Sequence, residues 1–145
     1  MKTSVAFWDT SVLVPLCCSQ PALTLLSRRF ARQFPRKVVW WGTAVEVYSA
    51  LQRLHREEEL SDQQLLNAQR KWEALNDTLL VVEPKERVRD LAVTFPRLYG
   101  LRALDSFQLA AALVWCKEKP RQRPFVCFDV RLADAAERAG FLAVT

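Results

Sequence analysis

What most constrains the fold of this chain is a short, wholly apolar run that recurs along it, each time near a stretch of helical period. The runs are "SVAFW" (4–8), "KVVWW" (37–41), "TLLVVE" (78–83), "FVCF" (125–128) and "FLAV" (141–144), and each reads as a strand. They lack the polar–apolar alternation of a half-exposed strand, so they suit a parallel sheet covered on both faces. Between them, residues 21–34 carry Leu23, Leu26, Phe30 and Phe34 at helical spacing before Pro35. Thr43 is placed to cap a helix bearing Val47, Leu51 and Leu54. Ser61 with Gln64 matches a capping box ahead of Leu65, Ala68, Trp72 and Leu75. Pro84 suits the first position of a helix that continues through Val88, Leu91, Ala92 and Phe95 to about Tyr99. A nearly all-apolar helix is predicted over 104–118, and a last one carries Leu132, Ala135, Ala136 and Ala139 and is closed by Gly140. The pattern predicts an α/β fold, a three-layer α/β/α sandwich around a short parallel sheet, with ligands beyond the carboxyl ends of the strands. With no internal repeat and no long linker, residues 1–145 read as a single domain.

Composition removes several classes of function. Three glycines leave no Gly-rich phosphate loop. Cys17, Cys18, Cys116 and Cys127 form no C-x-x-C pair, and His55 is the only histidine, too few ligands for a His/Cys zinc site. His55 lies among charged residues, a poor setting for a catalytic base. Free cysteines on apolar segments fit a reducing compartment, and the expected location is the cytoplasm. No apolar run has the roughly 20 residues needed to span a bilayer, and Asp9 interrupts the N-terminal one, so neither a membrane segment nor a leader is expected. The net charge of +5 favours an anionic partner, although the basic residues are dispersed as on solvated helix faces. The tryptophans mostly fall on apolar strands and helix faces and read as core; Trp72, with nearby apolar residues on the helix after Ser61, is also a candidate for a dimer or protein-partner surface.

Four acids stand out by position. Asp9 and Asp129 follow the first and fourth predicted strands, Glu46 lies in the first turn of a helix, and Asp105 opens the helix over 104–118. Each has an ordinary use as a helix cap, a turn residue or a partner of the helix dipole. One architecture nevertheless brings all four to the carboxyl edge of the sheet. Carboxylates sharing a pocket repel each other, and a hard cation such as Mg²⁺ or Mn²⁺ relieves that repulsion. Metal-assisted hydrolysis of a phosphodiester follows as a reaction class.

At these residues the chain resembles PIN-domain proteins. "FWDTSVLVPL", "TAVEVYSALQR", "LRALDSFQLAAAL" and "FVCFDVRLADAAERAGF" are similar in order and spacing to that family's four motifs, and size and compactness resemble the VapC-type toxins of prokaryotic toxin–antitoxin pairs. The resemblance implies a PIN-like fold and a Mg²⁺- or Mn²⁺-dependent endoribonuclease, commonly a homodimer, acting on tRNA or another structured RNA and silenced by a cognate antitoxin. It implies Asp9, Glu46, Asp105 and Asp129 as the metal-binding acidic quartet. Ser11, or alternatively Thr10, would set a hydroxyl near the metal. Arg102 and Arg131 flank two of the acids and are candidates for RNA phosphate contacts, with surface salt bridging as their ordinary use. The chain departs from relatives in "DSFQLA", where its serine and glutamine replace a common alanine and histidine; these are expected to support the helix. Two other readings stand. One is an aspartyl-nucleophile phosphatase, weakened by Ser11 where a second acid belongs, and the other a catalytically silent PIN-like module that binds RNA or protein.

Overall fold

Alternating strands and helices make up the computed structural model, which describes residues 4–145. Five parallel strands, β1 (Val5–Trp8), β2 (Arg36–Trp40), β3 (Leu80–Val82), β4 (Pro124–Val126) and β5 (Leu142–Val144), lie in the order β3-β2-β1-β4-β5. The helices are α1 (Thr10–Cys17), α2 (Pro21–Gln33), α3 (Thr43–Arg56), α4 (Asp62–Asn76), α5 (Glu86–Ala92), α6 (Phe95–Tyr99), α7 (Ala103–Trp115) and α8 (Val130–Ala139).

Side chains alternate across the sheet and divide the core in two. Ala6, Trp8, Val39 and Val126 face α1 to α4. Phe7, Val38, Trp40 and Phe125 face α5 to α8. The expected three-layer sandwich is the one observed. The strand order reverses at β1, between β2 and β4, which opens a crevice beyond the carboxyl ends of the central strands.

Several local expectations need correction. Residues 10–17 form a helix where the sequence shows no helical period. Thr10, Val12, Leu13, Val14, Pro15 and Cys17 are all buried, so α1 has no polar face to mark a helical period. Thr43 is not a cap: Gly42 holds that position without a side-chain bond, and Thr43 is the first helical residue. The helix expected over 84–99 begins at Glu86 and breaks after Ala92, because Pro96 has no amide to carry the ladder onward and sits instead in the first turn of α6. The helix expected over 104–118 ends at Trp115, where Lys117 and Glu118 turn left-handed. Trp72 is 1% exposed and packs with Trp8 in the core, so it offers no partner surface, whereas Trp41 is 57% exposed. Trp41 lies beyond the last strand pairing, where the sheet no longer buries it, and its ring meets that of Trp40 edge-on. Ser61 and Gln64 make both bonds of the capping box, and Gly140 closes α8 at φ 111°. Among the described residues no single helix is long and apolar enough to cross a membrane.

Candidate active site

Each of the four acids reaches the same crevice by a different local route. Asp9 is the first residue past β1; its amide donates to Val126 O at 2.9 Å, which locks it against β4. Its carboxylate caps α1, accepting from the Ser11 amide at 3.2 Å and from Ser11 Oγ at 2.6 Å. Ser11 Oγ in turn accepts from the Phe128 amide at 2.9 Å, so one hydroxyl ties Asp9 to the turn after β4. Asp129, at the end of that turn, caps α8 by accepting from the Leu132 amide at 3.0 Å. Asp9 is thus the helix cap it could have been, Asp129 caps a helix at the strand-to-helix turn where it was expected, and neither role competes with a shared site.

Glu46 stands in the first turn of α3. Thr10 Oγ1 donates to its Oε1 at 3.3 Å, and Gln108 Nε2 donates to its Oε2 at 3.0 Å. Asp105 is not a helix cap. Arg102 holds the cap position of α7, and Asp105 sits in the first turn, half-buried, with no hydrogen bond to the helix end. A buried helix therefore carries this acid into the crevice without using it locally.

Asp9, Thr10, Ser11, Glu46, Asp105 and Asp129 all line one cleft of about 750 Å³. Its electrostatics are those of acids facing one another. Burial pushes the Asp9 carboxyl above its ordinary range against the pull of its Ser11 hydrogen bonds, and Asp129 adds to the rise. Burial, then the charge of Asp9, pushes Glu46 up to about 7. Burial, then Asp129 and Asp9, pushes Asp105 up to about 6; Arg102 and Arg131 pull it back. Both arginines are exposed, near enough to Asp105 to be felt.

Three residues contribute more to the site than the sequence predicts, Gln108 among them, which reaches past its own helix to Glu46. Gln108 is fully buried, and its Nε2 also approaches Thr43 Oγ1 at 3.2 Å and Thr10 Oγ1 at 3.3 Å. Its spacing of three residues from Asp105 puts both on one face of α7, the signal that was available. Cys127 was read as a small hydrophobe, but its Sγ lies 3.7 Å from Asp9 Oδ2. Burial and the Asp9 charge keep that thiol protonated, and its one proton faces both the Asp129 carbonyl at 3.3 Å and the Asp9 carboxylate. Arg53, two turns beyond Glu46 on α3, lines the cleft as its cation.

The PIN domain family profile matches residues 6–138. The chain belongs to the PIN domain family. Among solved structures, this PIN domain is similar to a toxin–antitoxin complex from Klebsiella pneumoniae, with a TM-score of 0.67, 20% identity, and coverage of 97% of this chain and 96% of that one. It is also similar to PAE2754 from Pyrobaculum aerophilum, with a TM-score of 0.65, 16% identity, and coverage of 99% and 93%. At such identities the likeness is one of fold. No curated protein matches the sequence.

The site's donor set fits a hard divalent cation in chemistry. It offers carboxylate oxygens with the Thr10 and Ser11 hydroxyls beside them, and burial and mutual repulsion raise the affinity of three of the carboxylates for a positive charge. Among the described residues, no three His, Cys, Asp or Glu side chains stand in the geometry of a ready-made ion cage. Drawing the four acids together is what a cation would have to do.

Proposed function

We propose that this PIN domain is a metal-dependent endoribonuclease and the toxin of a toxin–antitoxin pair, with Mg²⁺ or Mn²⁺ as its cofactor. The observation that carries the reading is the convergence of Asp9, Glu46, Asp105 and Asp129 on one cleft, where burial and mutual repulsion lift three of them above the ordinary range. Family membership supports nuclease chemistry, and the Klebsiella toxin–antitoxin neighbour supports an antitoxin partner. The net charge of +5 suits a polyanionic substrate.

The four acids would hold the cation, which when bound supplies Lewis-acid activation of water and of the phosphoryl oxygens. The chain's own residues keep the acids in place. Ser11 donates to Asp9, and the Cys127 thiol lies between Asp9 and the Asp129 carbonyl; Thr10 and Gln108 donate to the two oxygens of Glu46. In this reading Ser11 and Thr10 are positioning residues. Arg53 lines the cleft, and Arg102 and Arg131 lie near Asp105; these three would receive phosphates flanking the scissile bond.

Purified protein free of antitoxin, incubated with total tRNA in Mn²⁺, Mg²⁺ or EDTA, tests the assignment beside Asp9→Asn and Asp105→Asn. Discrete cleavage that needs metal and both acids is expected. RNA binding without cleavage in either metal would replace the nuclease with a silent binding module.

A further inference from the structure

Next to the acid cleft lies a second, smaller cavity of about 290 Å³ that the chemistry above does not use. Its wall is aromatic. The Trp40 ring stacks on Phe107 with centroids 5.6 Å apart and planes 2° from parallel, and Trp41 meets Trp40 edge-on at 6.4 Å. Trp40 is nearly buried and held by α7, whereas Trp41 leaves more than half of its surface to solvent. Lys85 and Arg89 stand at the same cavity. Arg89 is engaged by Glu86 at 3.2 Å; Lys85 has no ion-pair partner among the described residues.

The two cavities share the Trp40 ring, which lies across Gly42 so closely that a Cβ there would stand 2.7 Å from Trp40 Nε1. The aromatic pocket is therefore the direct continuation of the acid cleft around one rigid indole. An exposed indole in a cavity with an unpaired ammonium offers aromatic surface and charge together, which matches a nucleobase with its phosphate. Only an unpaired base can present its own face to such a platform.

We propose that Trp41, backed by Trp40 and Phe107 and flanked by Lys85, forms a stacking subsite for an unpaired nucleotide of the substrate, next to the acid cleft. This rests on the nuclease reading for its substrate class. It assigns the cavity to single-stranded RNA, so that a strand crossing the cleft is gripped on the β2–α3 side.

Fluorescence anisotropy of the full chain in EDTA, with a labelled eight-nucleotide oligoadenylate RNA and a blunt RNA duplex of the same length, reads the subsite directly. Trp41→Ala should weaken oligoadenylate binding about ten-fold, the loss expected for one stacking platform. Trp41→Phe should keep most of the affinity, and the duplex should be indifferent to both changes. Lys85→Gln should weaken binding a few-fold and lower the salt dependence by about one phosphate contact. Oligoadenylate affinity unchanged in Trp41→Ala, or absent in the wild type, overturns the proposal. So does unchanged affinity with a lower sedimentation mass, which would give the indole to a second copy of the chain, or unchanged affinity with lost antitoxin binding, which would give it to that protein. Failure of the subsite leaves metal-dependent cleavage of tRNA by Trp41→Ala intact, whereas failure of the nuclease reading shows as no cleavage by the wild type.

Discussion

Gln108 on α7 turns its side-chain amide toward oxygens of Thr10, Thr43 and Glu46, so a residue of one helical layer fixes an acid of the other. Its own Oε1 is buried without a donor, which makes the side chain a poor choice for stability alone. Gln108→Leu removes both the orphan oxygen and the donor. The fold should lose little, with a melting temperature within a few degrees of wild type. Activity should fall about 10- to 100-fold in kcat, the worth of a hydrogen bond to a charged group, with KM for RNA little changed. Because the Gln108 bond lowers the Glu46 pKa, its loss leaves Glu46 protonated to higher pH. The acid limb of the activity profile should move upward, a shift that damage elsewhere would not produce. At this scale the acids were legible in the sequence, since each follows a strand or opens a helix. Gln108 and Cys127 were not, because nothing local tells a buried amide or thiol which partner lies across the sheet.

Among the elements, α8 shows how a terminus can be tested apart from the site. Gly140 ends it at φ 111°, and a Cβ there would stand 2.8 Å from Pro120 Cγ in the loop before β4. Gly140→Ala should cost about 1–3 kcal/mol, from left-handed strain and displacement of that loop, and lower the urea midpoint. Metal-dependent cleavage at 25 °C should persist, because Asp129 sits at the other end of the helix. The elements that were readable are those with a clear period or cap, such as α4 behind Ser61 and α8 before Gly140. Those that were misread lacked one or carried an internal breaker: α1 is buried on nearly every side and holds Pro15, and Pro96 splits what looked like one helix into α5 and α6. Trp41 was misread for a third reason, since the apolar run "KVVWW" continues one residue past the strand that buries it.

For the molecule as a whole, the clustered acids set the pH dependence of folding. Asp9, Glu46 and Asp105 have raised pKa values in the native state, so between the ordinary carboxylate range and about 7 the native chain holds protons that the unfolded chain has released. Stability of the metal-free protein therefore falls as pH rises through that window and stays low above it. In EDTA the melting temperature should be a few degrees higher at pH 5.5 than at pH 8. Mn²⁺ should restore most of the loss at pH 8 and do little at pH 5.5, where protons already occupy the acids. Asp105→Asn should raise the EDTA melting temperature at pH 8 and shrink the gain from Mn²⁺; an unchanged pH slope in that variant would separate Asp105 from the cluster.

The order of the acids along the chain has its own consequence. Asp9 comes before β2, yet its backbone is fixed by Val126 in β4, a strand more than a hundred residues later that pairs directly with β1. The cleft therefore depends on a contact of long sequence separation, whose loop-closure cost is met before the contact rewards it. A chain synthesised only as far as Asp105 carries three of the four acids and no assembled cleft, a delay written into strand order.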